Sequence, residues 1–84
     1  MRIHLKIVGF HDMKINEDIC LSDGSIIKDI VDKLSEENEM FKNGMRKNHI
    51  VIMKNGVSAG YLQGVDTPLR DGDYLLISPM QFGG

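Results

Sequence analysis

Residues 25–34 read Ser-Ile-Ile-Lys-Asp-Ile-Val-Asp-Lys-Leu, and this stretch decides the architecture. Ile27, Ile30, Val31 and Leu34 fall at i, i+3, i+4 and i+7, which sets them on one apolar stripe of an α-helix. Lys28, Asp29, Asp32, Lys33, Glu36 and Glu37 lie mostly off that stripe and are expected in solvent. Ser25 has the chemistry of a helix N-cap, because its hydroxyl can take up an orphan backbone N–H. The helix is predicted to end near Glu37 or Asn38. Met40 and Phe41 are expected to tuck under the loop before Gly44.

Strand signals flank this helix on both sides. Upstream, residues 2–8 alternate, with Ile3, Leu5 and Ile7 on one face and Arg2, His4 and Lys6 on the other. Period two marks a half-buried strand. Gly9 to Met13 reads as a turn, and Ile15, Ile19 and Leu21 mark a second strand with a polar centre, Asn16-Glu17-Asp18. So short a link favours an antiparallel hairpin. Downstream, His49-Ile50-Val51-Ile52-Met53 is a short apolar run that fits a central strand. Asn55-Gly56 is a strong turn signal, since both residues tolerate positive φ. Tyr61 and Leu62 are expected to form a brief strand. Arg70-Asp71-Gly72-Asp73 is another turn, Tyr74 to Ser78 the last strand, and Pro79 its end. Two hairpin-like units around one helix predict an α+β domain: a mixed four- to five-stranded sheet packed on one main helix, the β-grasp or ubiquitin-like architecture.

The chain has 84 residues, which allows one domain and one thin core. Residues 1–79 are assigned to that domain and 80–84 to a flexible C-terminal tail. With 42% hydrophobic and 26% charged residues, the composition is that of an ordinary globular protein. A net charge of −2 argues against nucleic acid as a partner. Lys42, Arg46 and Lys47 form the one basic cluster, read as a solvated loop. No leader is expected before the first strand, and no apolar run suggests a membrane helix. The expected compartment is the cytoplasm, where the single Cys20 stays reduced. His4, His11, His49 and Cys20 lack metal-ligand spacing, so no metal site is expected. Cys20 reads as a small buried hydrophobe. Gly56, Gly60 and Gly64 lack the Lys-Ser/Thr of a phosphate loop. No hydrolytic triad stands out.

Beyond the last strand come Met80, Gln81, Phe82, Gly83 and Gly84, expected to project from the domain. A carboxylate is a poor electrophile and must first become an acyl-adenylate. An enzyme that closes around such a tail and a nucleotide needs residues without a Cβ. Sulfur attack on the adenylate then leaves a thiocarboxylate at Gly84.

The stretch 54–84, KNGVSAGYLQGVDTPLRDGDYLLISPMQFGG, resembles the ThiS/MoaD family of ubiquitin-like sulfur carriers. The shared features are Asn55-Gly56, Asp66-Thr67-Pro68-Leu69, Asp71-Gly72-Asp73, the apolar strand 74–78, Pro79 and Gly83-Gly84. The first half agrees only in element order and in Ser25 opening the helix. Length places the chain nearer the small subunit of molybdopterin synthase than the shorter thiamine carriers. The resemblance implies that a ubiquitin-activating-type adenylyltransferase adenylates Gly84 with ATP. A persulfide donor then supplies the sulfur. The tail, Met80 to Gly84, next enters a large synthase subunit that holds the catalytic residues. This chain would bind no cofactor and would be a carrier, not an enzyme. Phe82 departs from the small residue common there, so a bulky ring meets the entrance of the partner's channel. It leaves open a carrier for thiamine or another sulfur pathway.

In the last strand, Leu75 and Ile77 are expected to face the helix. Tyr74 and Leu76 would then be exposed near the tail, with Leu62 joining them as a partner surface. Two other readings share these features. One is a ubiquitin-like modifier conjugated through Gly84, and the other is a binding module with an inert tail.

Overall fold

The computed structural model describes residues 1–10 and 13–80. Five strands form one sheet: β1 (Arg2–Phe10), β2 (Met13–Cys20), β3 (Ile50–Lys54), β4 (Val57–Ser58) and β5 (Tyr74–Pro79). Their order across the sheet is β2-β1-β5-β3-β4. β1 and β5 run parallel, and the other neighbours are antiparallel. β5 is therefore the middle strand, and β3 lies one place further out than its apolar run suggests.

Two helices connect the halves, α1 (Ile27–Glu37) and α2 (Glu39–Arg46). The predicted stripe of α1 is buried in full: Ile27, Ile30, Val31 and Leu34. It packs with Ile3, Leu5 and Ile7 of β1 and with Leu75 and Ile77 of β5 in one core. The second helix is an addition to the one read from the sequence. Asn38 opens it by accepting the Phe41 N–H at 2.9 Å. Phe41 drops into the core with no exposed surface, whereas Met40 stays 60% exposed.

Ser25 does not cap α1. Its hydroxyl donates to Ser22 O at 2.7 Å and closes the preceding turn. Residues 25–27 are instead drawn into backbone pairing with 67–69: Ile27 N–H donates to Thr67 O at 3.0 Å and Leu69 N–H to Ser25 O at 3.0 Å. The first turn is closed by Asp29, which accepts the Ile26 N–H at 2.8 Å. Tyr61 and Leu62 form no strand. Ala59–Tyr61 and Gly64–Asp66 are short 3₁₀ turns. Cys20 is exposed, not buried, because it ends the edge strand β2 on the face away from the helices.

The Asn55-Gly56 turn forms as read, with φ of 51° and 83° and Lys54 opposite Val57. Gly9 answers a different need. Its φ is +85°, and a Cβ there would lie 2.7 Å from Pro79 Cδ. The end of β5 thus rests against bare backbone of β1.

Candidate functional site

The candidate site is the outer face and far end of β5. Leu75 and Ile77 point into the core, so Tyr74, Leu76 and Ser78 alternate outward, as the sequence predicts. Tyr74 is exposed, and Leu76 and Ser78 are half-buried. Register then decides their neighbours. His4 of β1 stands opposite Tyr74 and Lys6 opposite Leu76. On the other side Met53 of β3 stands opposite Leu76 and Val51 opposite Ser78. Leu76 therefore sits amid Met53, Tyr74 and the Lys6 stem. Its face of the sheet is apolar at the centre and charged toward β2, an arrangement suited to a protein partner. Leu62 is 44% exposed but lies off the sheet, on the loop after the first 3₁₀ turn. There it lines an open cavity with Lys54, Gln63 and Arg70. Tyr61, read as part of a strand, is the most exposed large apolar residue described, at 88%.

Sequence reasoning missed the role of His4. Its ring stacks on Tyr74 with centroids 5.3 Å apart and planes 16° apart. Nδ1 meets Asp18 Oδ1 at 2.7 Å and Nε2 meets Asn16 Oδ1 at 2.6 Å. An imidazolium donates to both oxygens. A neutral ring donates to one, and the Asn16 amide must turn to serve the other nitrogen. The hydrogen bond to Asp18, then that to Asn16, raises the His4 pKa above 6.5. The linked stabilisation is present in full below 6.5 and is lost as pH rises through the elevated folded value. A proton NMR titration should find the His4 imidazole titrating above 6.5, and Asp18→Asn should bring it back toward that value.

The start of β5 is held by the two turns that the sequence singled out. Asn55 spans them: its side-chain oxygen accepts the Tyr74 N–H at 2.8 Å and its amide donates to Asp73 Oδ1 at 2.9 Å. Asp73 also accepts the Arg70 N–H at 2.8 Å and pairs with Lys54 Nζ at 3.5 Å. Burial pushes the Asp73 carboxyl up. Asn55, the Arg70 N–H and Lys54 together outweigh it and hold the group below its ordinary 3.8. In the Asp66–Leu69 segment, Thr67 Oγ1 donates to Gly64 O at 2.7 Å and accepts the Gln63 N–H at 3.1 Å. Leu69 is buried. These motif residues build the scaffold, and none of them stands ready to react.

At the far end, Met80 N–H donates to His49 O at 2.7 Å and makes the last backbone anchor described. Met80 is 37% exposed and lies beside a groove formed by Met45, Ile50 and Val65. Gln81, Phe82, Gly83 and Gly84, assigned to the reacting tail, lie outside the described residues, as does His11. Among the described residues no cluster of His, Cys, Asp or Glu could hold a metal ion, and no helix is long and apolar enough to cross a membrane.

The sheet order, the α1 packing and the β5 exit together define a ubiquitin-like β-grasp fold. Solved structures similar to this chain include two solution structures. The Haloferax volcanii HVO 2177 protein, a solution structure, superposes with a TM-score of 0.74 at 23% identity, over 100% of this chain and 87% of that one. The solution structure of the small archaeal modifier protein 1 (SAMP1) from Methanosarcina acetivorans gives a TM-score of 0.62 at 20% identity, over 99% of this chain and 96% of that one. No protein-family model matches the chain, and no curated protein does.

Proposed function

We propose that this chain is a carrier protein whose Gly84 carboxylate is activated as an acyl-adenylate by a ubiquitin-activating-type adenylyltransferase and ATP. In the primary reading the adenylate is attacked by a persulfide and AMP leaves. A second thiol then cleaves the acyl disulfide, which leaves a thiocarboxylate. That group donates sulfur inside a large synthase subunit, in molybdopterin formation. The chain itself contributes the acyl group and a docking face, and its partners contribute catalysis. The observation that carries this reading is the placement of β5. The middle strand of the sheet ends at a fixed anchor, Met80 to His49, and the Gly83-Gly84 pair follows three residues later. A tail so rooted can enter a partner's channel while Tyr74 and Leu76 rest on that partner's surface.

A second reading, a modifier joined through Gly84 to lysines of other proteins, is favoured by the likeness to a protein named a small archaeal modifier. Activation is shared, and the acceptor differs. Deleting Gly83-Gly84 separates both from an inert tail: the deletion should abolish sulfur-dependent cofactor formation and leave thermal stability unchanged. High-mass conjugates on a denaturing gel, lost in the same deletion, would select the modifier. Unimpaired cells carrying the deletion would sink both readings. Phe82 keeps thiamine and other sulfur pathways in play, and assays of cofactor content in a null strain would choose among them.

A further inference from the structure

A second feature is formed where β2 and α1 diverge, two strands away from β5. β2 is an edge strand, because β1 is its one neighbour in the sheet. Met1 and Leu21 exchange both backbone hydrogen bonds, each at 2.8 Å. In an antiparallel pair hydrogen-bonded and non-hydrogen-bonded partners alternate. With Arg2 opposite Cys20 and His4 opposite Asp18, the N–H and C=O groups of Asn16, Asp18 and Cys20 point out from the free edge. The side chains of Ile15, Glu17 and Ile19 point toward the helix face.

Between that edge and α1 runs a groove of about 220 Å³. Its floor is Ile15, Ile19, Ile30 and Leu34, and Ile15 and Ile19 stay half-buried. The volume falls short of an ordinary small-molecule site, roughly 300–1,000 Å³, and suits a few side chains instead. Its rim is acidic: Glu17, Asp29 and Glu37 stand against the single cation Lys33. Among the described residues no ion pair engages Glu17, Glu37 or Lys33.

We propose that the β2 edge and this groove bind an extended segment of another protein carrying the pattern apolar-x-Lys/Arg-x-apolar, added to the sheet as a sixth strand. The backbone of the segment pairs with Asn16, Asp18 and Cys20. Residues opposite Ile15, Glu17 and Ile19 all point into the groove, since strand side chains alternate. The outer two cover the isoleucines, and the central cation meets Glu17. The same Glu17 rejects indiscriminate partners, because an inward-facing charge on an edge strand disfavours apolar strands. A second copy of β2 centred on this position would set Glu17 against Glu17 and is disfavoured for that reason. β1 separates β2 from β5, and His4 joins them through Asp18 and Asn16 on one side and the Tyr74 ring on the other. The segment takes the backbone of β2 and leaves the outer face of β5 open, so both surfaces can be occupied together.

The test is a heteronuclear NMR titration of the full chain with two synthetic nonapeptides, identical except for the central residue: Gly-Ser-Val-Thr-Lys-Thr-Val-Ser-Gly and the same peptide with Glu at its centre. The lysine peptide should shift the Asn16, Asp18 and Cys20 amides and slow their hydrogen exchange. The glutamate peptide should bind roughly tenfold more weakly at low salt, the difference between opposite and like charges across a strand pair lying in a partly desolvated groove. Glu17→Lys, a change at an exposed side chain, should reverse the preference. Equal binding of the two peptides, no response of those amides at millimolar peptide, or shifts confined to Tyr74 and Leu76 would overturn the proposal. Concentration-dependent shifts of the same amides without peptide would place a second copy on the edge and overturn it as well.

Discussion

Phe41→Ala should destabilise the protein by about 3–5 kcal/mol, the usual cost of emptying a buried aromatic site. Phe41 has no exposed surface and stands in tilted contact with Phe10, centroids 5.7 Å apart. It is the one fully buried residue of α2 and its main tie to the core, with Met45 packed alongside half-buried. The hole would resist collapse, because the segment on its C-terminal side is already tight. A Cβ on Gly44 would lie 2.9 Å from Ile50 Cδ1. A small domain holds only about 5–15 kcal/mol in total. Calorimetry should therefore show a fall in melting temperature of about 15 °C or more, and an unchanged melting temperature would mean that α2 is not part of the cooperative core.

The second large effect falls on Asp73. Asp73→Ala removes the acceptor for the Asn55 amide and the Arg70 N–H and the counter-ion of Lys54. Hydrogen bonds to a charged group contribute about 1.5–3 kcal/mol each. Some of the freed donors can reach water at the surface, so the expected loss is about 2–4 kcal/mol. The same group imposes a pH dependence. Its folded pKa is depressed below 3.8, so its contribution is present above 3.8 and is lost as pH falls through the lowered folded value. Denaturant titrations in acid should show wild-type stability falling through that window. Asp73→Asn, which cannot titrate, should lack this component of the fall. A wild-type curve that keeps its full slope in the Asn variant would remove Asp73 from the ionic network.

Local signals were the legible ones. The α1 stripe, the β1 alternation and the Asn55-Gly56 turn each depend on residues a few positions apart, and each formed as read. The inward and outward faces of β5 were legible for the same reason. Most of what failed depends on contacts between distant segments. Ser25 has cap chemistry, but pairing with residues 67–69 takes its backbone and leaves Asp29 to close the first turn. The second helix carries a single buried apolar residue, Phe41, so its stripe is too thin to read, although Asn38 is an N-cap in plain view. The stack of His4 on Tyr74 requires the parallel register of β1 on β5, which nothing within either strand announces. The same register puts Lys6 and Met53 beside Leu76. Of the candidate site, then, the face was readable and its company was not.

The motif that singled out the C-terminal third has a divided meaning. Asp66 to Asp73 builds the support for β5, and the proposed function assigns the chemistry to Gly84, outside that motif. A structural likeness at 20–23% identity carries the fold, and sulfur transfer has to be read at Gly84 itself. The direct measurement is the intact mass of the full-length protein, purified from cells that contain a ubiquitin-activating-type adenylyltransferase and a persulfide donor. A sulfur carrier should gain the mass of one sulfur replacing one oxygen, localised by fragmentation to Gly84 and absent from the Gly83-Gly84 deletion. A chain that keeps its oxygen carboxylate under those conditions, or whose Gly84 appears only in amide linkage to other proteins, would contradict the assignment.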